Sequence, residues 1–157
     1  MSVYSGQAAI AFARMKEKPF WEGWRKFFTR QPDTLLSFSA AEKILNLQLS
    51  QDMGIQKIAI DDIVGSLGRF NEFDRTFKPK HAFTEDRLRR VAESFYQRGF
   101  DPIEVFKVSN VYFVVDGNHR VSVSRALNIK SIVAHVYEFE TKITLDKNDD
   151  LNSIYTK

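Results

Sequence analysis

The 157-residue chain contains no cysteine, few histidines and no long apolar run. Without cysteine, disulfide bonds, thiolate metal sites and a cysteine nucleophile are excluded. The three histidines show neither His-x-x-x-His nor Glu-x-x-His spacing, so we predict no structural zinc or di-metal centre. No apolar stretch approaches the roughly 18 residues that cross a bilayer, and the N-terminus lacks a secretory signal layout. We therefore expect a cytoplasmic protein without a membrane span.

The chain also has little excess of charge of one sign, with a formal net charge of +3. Residues 1–30 carry six basic and two acidic side chains, and the remaining residues carry 17 basic and 18 acidic ones. The body of the protein is therefore close to neutral, which argues against a protein that wraps duplex DNA. A hydrophobic content of 43% with 27% charged residues is that of a globular domain.

Residues 1–50 are predicted to form an N-terminal helical extension. Apolar side chains recur at helical spacing in residues 4–15 and again in residues 20–28, and Ser39-Ala-Ala-Glu42 resembles a capping box for a third helix reaching Leu49. Two tryptophans and three phenylalanines in residues 20–28 would form a large apolar patch if left in water. Either the body of the chain covers them, or helix 19–30 forms a homodimer interface, or it lies on a membrane surface.

Residues 55–140 are predicted to form a core of strands and helices, and residues 141–157 a loose polar tail. Thr84, followed by acidic residues, marks the start of a helix that reaches Arg98 and ends before Gly99. The predicted strands share a β-branched or aromatic bias and flanking turn residues: they are Gln56–Ile60, Ile103–Val108, Val111–Val115 and Ser131–Phe139. The short connection Ser109-Asn110 predicts that two of these strands form a hairpin.

The stretch Asp116-Gly117-Asn118-His119-Arg120 directly follows the predicted strand Val111–Val115. One interpretation is a Gly-containing turn at the start of a helix, where backbone amides, the helix dipole and an arginine bind an anion such as phosphate. That helix would end at Asn128, a residue type that tolerates the left-handed conformation. The other interpretation is a tight hairpin turn, with Val121-Ser-Val-Ser124 as the returning strand. The pattern alone leaves both interpretations open.

The surroundings of this turn resemble a known family. The segments that carry the resemblance are Pro102-Ile-Glu-Val105, Val114-Val-Asp-Gly-Asn-His-Arg120, Ile129-Lys-Ser-Ile132, Ile58-Ala-Ile-Asp-Asp-Ile63 and Gly68-Arg69-Phe70. Together, residues 55 to 139 resemble the ParB/sulfiredoxin superfamily. The resemblance implies an α+β fold, with a small mixed sheet and packed helices, preceded here by the N-terminal helical extension.

The resemblance also implies a ligand. In that superfamily the Gly-x-x-Arg turn holds nucleotide phosphates: CTP in partition proteins, ATP in sulfiredoxin and ADP in the free serine kinases. It implies that Arg69, Gly117, Asn118, His119 and Arg120 bind a nucleotide, with Mg²⁺ as the accompanying ion. The kinase spelling, Asp-Gly-His-His-Arg, is the closest to residues 116–120. Sulfiredoxin carries its catalytic cysteine at the position of Asn118, so the sulfinic-acid repair reaction is excluded.

Two carboxylates are candidate catalytic residues. A bare carboxylate repels phosphate, so Asp116 either caps the helix, or coordinates Mg²⁺ shared with the phosphates, or acts as a base toward a hydroxyl. Glu104 lies on a strand that leads toward the turn, and the serine kinases that the chain resembles use an upstream glutamate as base.

Three functions follow as alternatives. The first is a nucleotide-binding domain that hydrolyses nucleotide, transfers a phosphoryl group or uses nucleotide as a switch. The second is a DNA-binding or nuclease-type ParB-like protein. The third is a non-catalytic interaction scaffold held together by the aromatic N-terminal helices. The sequence leaves open whether the chain is an enzyme.

Overall fold

The structure is a computed structural model that describes residues 35–69, 71–78, 89–90, 93, 101–150 and 154. The helices predicted within residues 1–34, including the aromatic face of residues 20–28, lie outside the described residues. Of the helix predicted over residues 84–98, the structure describes Arg89, Arg90 and Glu93, and these three are helical.

The described residues form a six-stranded mixed sheet with two helices whose bounds are defined, which confirms the predicted α+β class. The strands are β1 (Leu36–Ser37), β2 (Gln48–Ala59), β3 (Ile63–Ser66), β4 (Ile103–Val108), β5 (Val111–Asp116) and β6 (Ser131–Glu140). The helices are α1 (Phe38–Leu45) and α2 (Asn118–Ala126), and a 3₁₀ turn covers Ile60–Asp62.

The strands lie in the order β1-β3-β5-β4-β6-β2. Strand β4 is central, antiparallel to β5 and parallel to β6, while β3 is parallel to β5. The predicted hairpin of β4 and β5 is therefore confirmed, with Ser109 at φ 55° in its turn. Because β3 and β5 run in the same direction, the loops that follow them leave the sheet at the same edge.

Each face of the sheet has its own core, because side chains alternate along a strand. On one face α2 packs through Val121 and Val123. On the other face α1 packs through Phe38, whose ring lies 5.5 Å from that of Phe113 and 5.1 Å from that of Phe139. Burying one such ring contributes about 1.5–3 kcal/mol, so these contacts hold α1 on the sheet.

Two predictions at the start of the core are wrong. The N-cap of α1 is Ser37, whose Oγ accepts a hydrogen bond from the amide of Ala40 at 3.3 Å, and not Ser39. Because Phe38 is buried at the first helical position, the helix begins before the predicted capping box. The helix ends at Asn46, which has φ 51°, so Leu49 belongs to β2, where it is 61% exposed.

Strand β2 is longer than the predicted strand Gln56–Ile60, because it pairs with β6 from Gln48 to Ala59. Its first five residues, 48–52, are all exposed, and they have no apolar alternation that a sequence pattern could detect. Strand β3 was not predicted, since all four of its residues are buried and such a short run has no recognisable period.

The two interpretations of residues 116–124 are resolved by α2, which begins at Asn118 directly after Gly117. Val121 and Val123 are both buried, as are Ser122 and Ser124, so their alternation in the sequence does not reflect a strand. The predicted helix end is confirmed, because Asn128 adopts φ 59°.

The segment predicted as a loose tail packs against the core in its described part. Leu145 and Ile154 are each 1% exposed and belong to the core that contains Phe38. The amide of Leu145 donates to Ser109 Oγ at 3.0 Å. The Arg75 guanidinium donates to the carbonyl oxygens of Lys147 and Asp149.

Candidate functional site

A cavity of about 510 Å³ lies at the sheet edge where α2 begins. Residues from the loop after β3 and from the turn after β5 line it: Gly68, Arg69, Glu72, Val115, Asp116, Gly117, Asn118, His119 and Arg120. The structure thus brings Arg69 together with the whole predicted turn 116–120. The remaining predicted site residue, Glu104, is not among the residues that line this cavity.

Pairing between strands fixes the loop that carries Arg69. The amide of Leu67 donates to the carbonyl oxygen of Val114 on β5 at 2.9 Å, so the loop stays beside β5 after β3 has ended. Ser66 is fully buried, and its Oγ accepts from the amide of Arg69 at 3.3 Å. These bonds place Arg69 opposite the start of α2.

Gly117 is required at the start of α2 for two reasons. Its φ of 113° lies in the region that side chains disfavour, and a Cβ there would lie 2.4 Å from Ile103 Cγ2. As N-cap it provides no side-chain hydrogen bond, and the first-turn amides have no acceptor within the helix. The positive end of the nine-residue helix α2 is therefore presented to the cavity, where it favours an anion.

The Arg120 guanidinium is held by three acceptors. Its Nη2 donates to Asp116 Oδ2 at 3.0 Å, and its Nη1 donates to the carbonyl oxygens of Asp101 at 2.8 Å and of Pro102 at 3.3 Å. Of the three roles considered for Asp116, helix capping is wrong, because its carboxylate pairs with Arg120 and α2 has no side-chain cap. Arg120 thus joins α2 to the chain that enters β4.

The Arg69 guanidinium is held less tightly. Its Nη1 lies 2.7 Å from Glu72 Oε2, and its side chain is 43% exposed, compared with 20% for Arg120. Arg69 is therefore the guanidinium that a ligand in the cavity can reach with the smaller loss of internal hydrogen bonds.

Asn118 contributes a polar group to the wall of the cavity. The residue is 6% exposed, and its Oδ1 is buried without a hydrogen-bond partner among the described residues. A buried unsatisfied amide oxygen costs about 1–3 kcal/mol, so this atom can gain stability from a hydrogen-bond donor of a bound ligand.

The far side of the cavity is supported by residues that the sequence analysis did not identify. Phe73 is fully buried, and its ring contacts the imidazole of His119 at 5.3 Å. Asp74 holds the loop by accepting from Thr76 N, Thr76 Oγ1 and Lys78 N through its Oδ1. Ser122 Oγ donates to the carbonyl oxygen of Phe77 and so ties α2 to the same loop. Asp followed by Thr two residues later is typical of an Asx turn, and this signal could have located the loop.

The predicted catalytic residue Glu104 and a further arginine, Arg125, lie away from the cavity lining. Glu104 is exposed and pairs in register with Asp116 across the hairpin. Arg125 donates to the carbonyl oxygen of Ile60 at 3.0 Å and pairs with Asp61 at 3.4 Å. Burial lowers the pKa of the Arg125 guanidinium, while the carboxylates of Asp61 and Asp74 act in the opposite direction.

Within residues 35–69, 71–78, 101–150 and the isolated described positions, no three His, Asp or Glu side chains form a group that could hold a metal ion. In the same part of the chain, no helix has the length and apolar character needed to cross a bilayer.

The sequence was compared with protein families and with curated proteins. No curated protein matches it. The family described as the ParB N-terminal domain matches residues 48–148, which is well over half of the chain. This match contains β2 to β6, α2 and every residue that lines the cavity. The chain therefore belongs to the ParB N-terminal domain family.

Proposed function

We propose that the cavity binds the phosphate groups of a nucleotide. The observation that carries this proposal is the start of α2, where a glycine N-cap without a side-chain bond faces a cavity that also contains Arg69. Backbone amides and a helix dipole at such a position stabilise phosphate oxygens, and a guanidinium adds paired donors.

The residues have distinct roles in this proposal. The first-turn amides of α2 hold one phosphate group, and Gly117 allows its close approach. Arg69 donates from the opposite wall, and Asn118 Oδ1, being an acceptor, pairs with a donor group of the ligand such as a ribose hydroxyl and not with a phosphate oxygen. Arg120 acts mainly as a positioning residue, because its donors already bind Asp116 and two backbone carbonyls.

The donor set fits Mg²⁺ when phosphates are present. Mg²⁺ in nucleotide sites is held by one or two carboxylates together with phosphate oxygens and water. Asp116 and Glu72 both line the cavity, and Asp116 has a side chain that is 72% exposed, so these two residues would hold the ion. When bound, Mg²⁺ would neutralise part of the negative charge of the phosphates.

The protein either turns over the bound nucleotide or uses it as a switch. A variant of Asp116 distinguishes these two functions. As a base, its carboxylate accepts a proton from a hydroxyl or water that attacks the terminal phosphate. Asp116→Asn, which removes both the base and one of the two carboxylates that would hold Mg²⁺, then abolishes turnover. If the wild-type chain binds nucleotide without turnover, nucleotide acts as a switch.

DNA is the second candidate partner, because membership of the ParB N-terminal domain family is equally compatible with it. DNA binding that neutralises many phosphates weakens steeply with salt, whereas a nucleotide held by a few donors in one cavity releases fewer counterions and weakens less. The salt dependence of any observed binding therefore distinguishes the two candidates.

The proposal is tested by thermal melting of the full chain with CTP, ATP, ADP and GTP, each with Mg²⁺. A nucleotide at 100 times its Kd stabilises by about 2.7 kcal/mol, which raises the Tm by roughly 5–10 °C. Arg69→Ala should reduce that rise, while Arg90→Ala, at an exposed position outside the cavity lining, should leave it unchanged. If no nucleotide raises the Tm, the proposal is wrong.

A further inference from the structure

The arginines of the cavity are each paired with a carboxylate that lines the same cavity. Arg69 pairs with Glu72 at 2.7 Å, and Arg120 pairs with Asp116 at 3.0 Å. The formal charges of these four side chains cancel. The electric field that would attract an anion is therefore weaker than the presence of two arginines implies.

The two ion pairs differ in how readily they can open. Arg120 retains the carbonyl oxygens of Asp101 and Pro102 if Asp116 moves away. Among the described residues, Glu72 Oε2 is the only acceptor that the Arg69 guanidinium has. The Arg69 side chain is 43% exposed while that of Glu72 is 19% exposed, so the arginine is the partner with access to a ligand.

A carboxylate and a phosphate offer a guanidinium the same kind of paired oxygen acceptors. Glu72 therefore occupies the Nη1 side of the Arg69 guanidinium, which is one of the positions where a phosphate group can bind. A polyphosphate that takes the Nη1 donor displaces Glu72, and one that takes the remaining donors lies beside its carboxylate. In both cases the carboxylate repels it unless a divalent cation intervenes.

Building on the proposed phosphate site, we infer that Glu72 is a positioning residue that competes with the ligand for Arg69. It lowers the affinity of the cavity for metal-free polyphosphate and favours polyphosphate complexed with Mg²⁺. Without Mg²⁺, Glu72 acts through Arg69, and its effect depends on the contact between the two side chains as well as on its charge.

The test is titration calorimetry of the full chain with sodium tripolyphosphate, at constant ionic strength, in EDTA and in excess MgCl₂. Glu72→Gln removes the charge, and Glu72→Asp keeps the charge but withdraws the carboxylate from Arg69 by one methylene. The matched control is Glu138→Gln, because Glu138 also forms an ion pair, with Lys107 at 4.0 Å, and lies outside this cavity. Thermal melting of each variant without ligand verifies that it folds.

Opening one partly exposed ion pair corresponds to a gain of roughly fivefold in affinity. We expect Glu72→Gln to bind tripolyphosphate in EDTA about fivefold more tightly than the wild type, and Glu72→Asp by a smaller factor. The tightening that Mg²⁺ causes should be smaller in Glu72→Gln than in the wild type. Glu138→Gln should behave as the wild type in both solutions.

Other results would contradict the inference in distinguishable ways. If Glu72→Gln binds more tightly but Glu72→Asp equals the wild type, charge alone acts and the competition for Arg69 is wrong. If the wild type binds and neither variant binds more tightly, the inference fails while the phosphate site stands. If no form of the protein binds tripolyphosphate in either solution, the phosphate site itself is wrong.

Discussion

The phenyl ring of Phe73 contacts the imidazole of His119 edge to face, with centroids 5.3 Å apart and planes at 74°. Phe73 belongs to the loop after β3, and His119 belongs to the first turn of α2. The loop after β3 and the first turn of α2 are therefore in direct contact through these rings. A displacement of one of these two segments should displace the other.

Phe73→Leu should lower the free energy of unfolding by about 1–2 kcal/mol, because the ring contact is lost and a small cavity remains. It should also move the proton NMR signals of the His119 ring, which lie in the field of the phenyl ring. His135 provides the internal reference, because it stacks on Tyr137 at 4.5 Å and should not change. An unmoved His119 signal would show that the rings are not in contact in solution.

Gly117→Ala should destabilise the chain by about 3 kcal/mol or more, since a positive φ and a clash with Ile103 act together. The matched comparison is Gly54→Ala, because Gly54 has φ 73° but nothing lies within 4 Å of its added Cβ. That variant should lose only about 1 kcal/mol, the cost of the backbone conformation alone. Urea denaturation measures both values, and equal losses would contradict the role given to Ile103.

Arg120→Lys should lower the free energy of unfolding by about 1–2 kcal/mol, because one ammonium group does not replace the bonds to Asp116, Asp101 and Pro102. Arg69→Lys, by contrast, should change stability by no more than about 0.5 kcal/mol, since its one ion pair is partly exposed. Urea denaturation of the two variants gives the comparison. A larger loss of unfolding free energy in Arg69→Lys than in Arg120→Lys would contradict the conclusion that Arg120 is the more tightly held guanidinium.

Asp52→Asn should flatten the dependence of stability on pH in acid. The amide of Gly54, and then His135 with its Nε2 at 2.6 Å, hold the pKa of the Asp52 carboxyl below its usual value of 3.8. The ionised carboxylate therefore stabilises the fold fully above about pH 4, and this contribution falls as the pH drops through the lower folded-state pKa. Urea midpoints of wild type and variant should thus differ at pH 5 and converge toward pH 2.5. Parallel curves over this interval would contradict the prediction.

Local signals in the sequence predicted some of the elements around the cavity. The two-residue turn Ser109-Asn110 predicted the hairpin, whereas the glycine and asparagine that flank α2 left a helix and a second hairpin strand both open for residues 118–128. The start of α1 and the length of β2 depend instead on Phe38 packing on distant rings and on pairing with β6. Such effects lie in the tertiary structure, so Ser39 and Gln56 were wrong boundaries.

The side-chain contacts in the cavity lining also depend on tertiary structure that local sequence signals do not specify. Resemblance to the superfamily predicted Arg69, and the structure places that residue beside the turn 116–120. The pairing of Arg69 with Glu72 and of Arg120 with Asp116 depends on side-chain directions that spacing alone does not specify. For this reason the sequence left three roles open for Asp116, and the neutral charge balance of the cavity emerged only from the structure.

The burial of Leu145 and Ile154 limits how far the C-terminal segment can be truncated. A fragment cut after residue 140, where the last strand ends, would leave the rings around Phe38 uncovered on one side. Such a fragment would expose an apolar surface to water and would be prone to aggregate during purification. Residues up to Ile154 should therefore be kept in any trimmed version intended for crystals or for ligand screening.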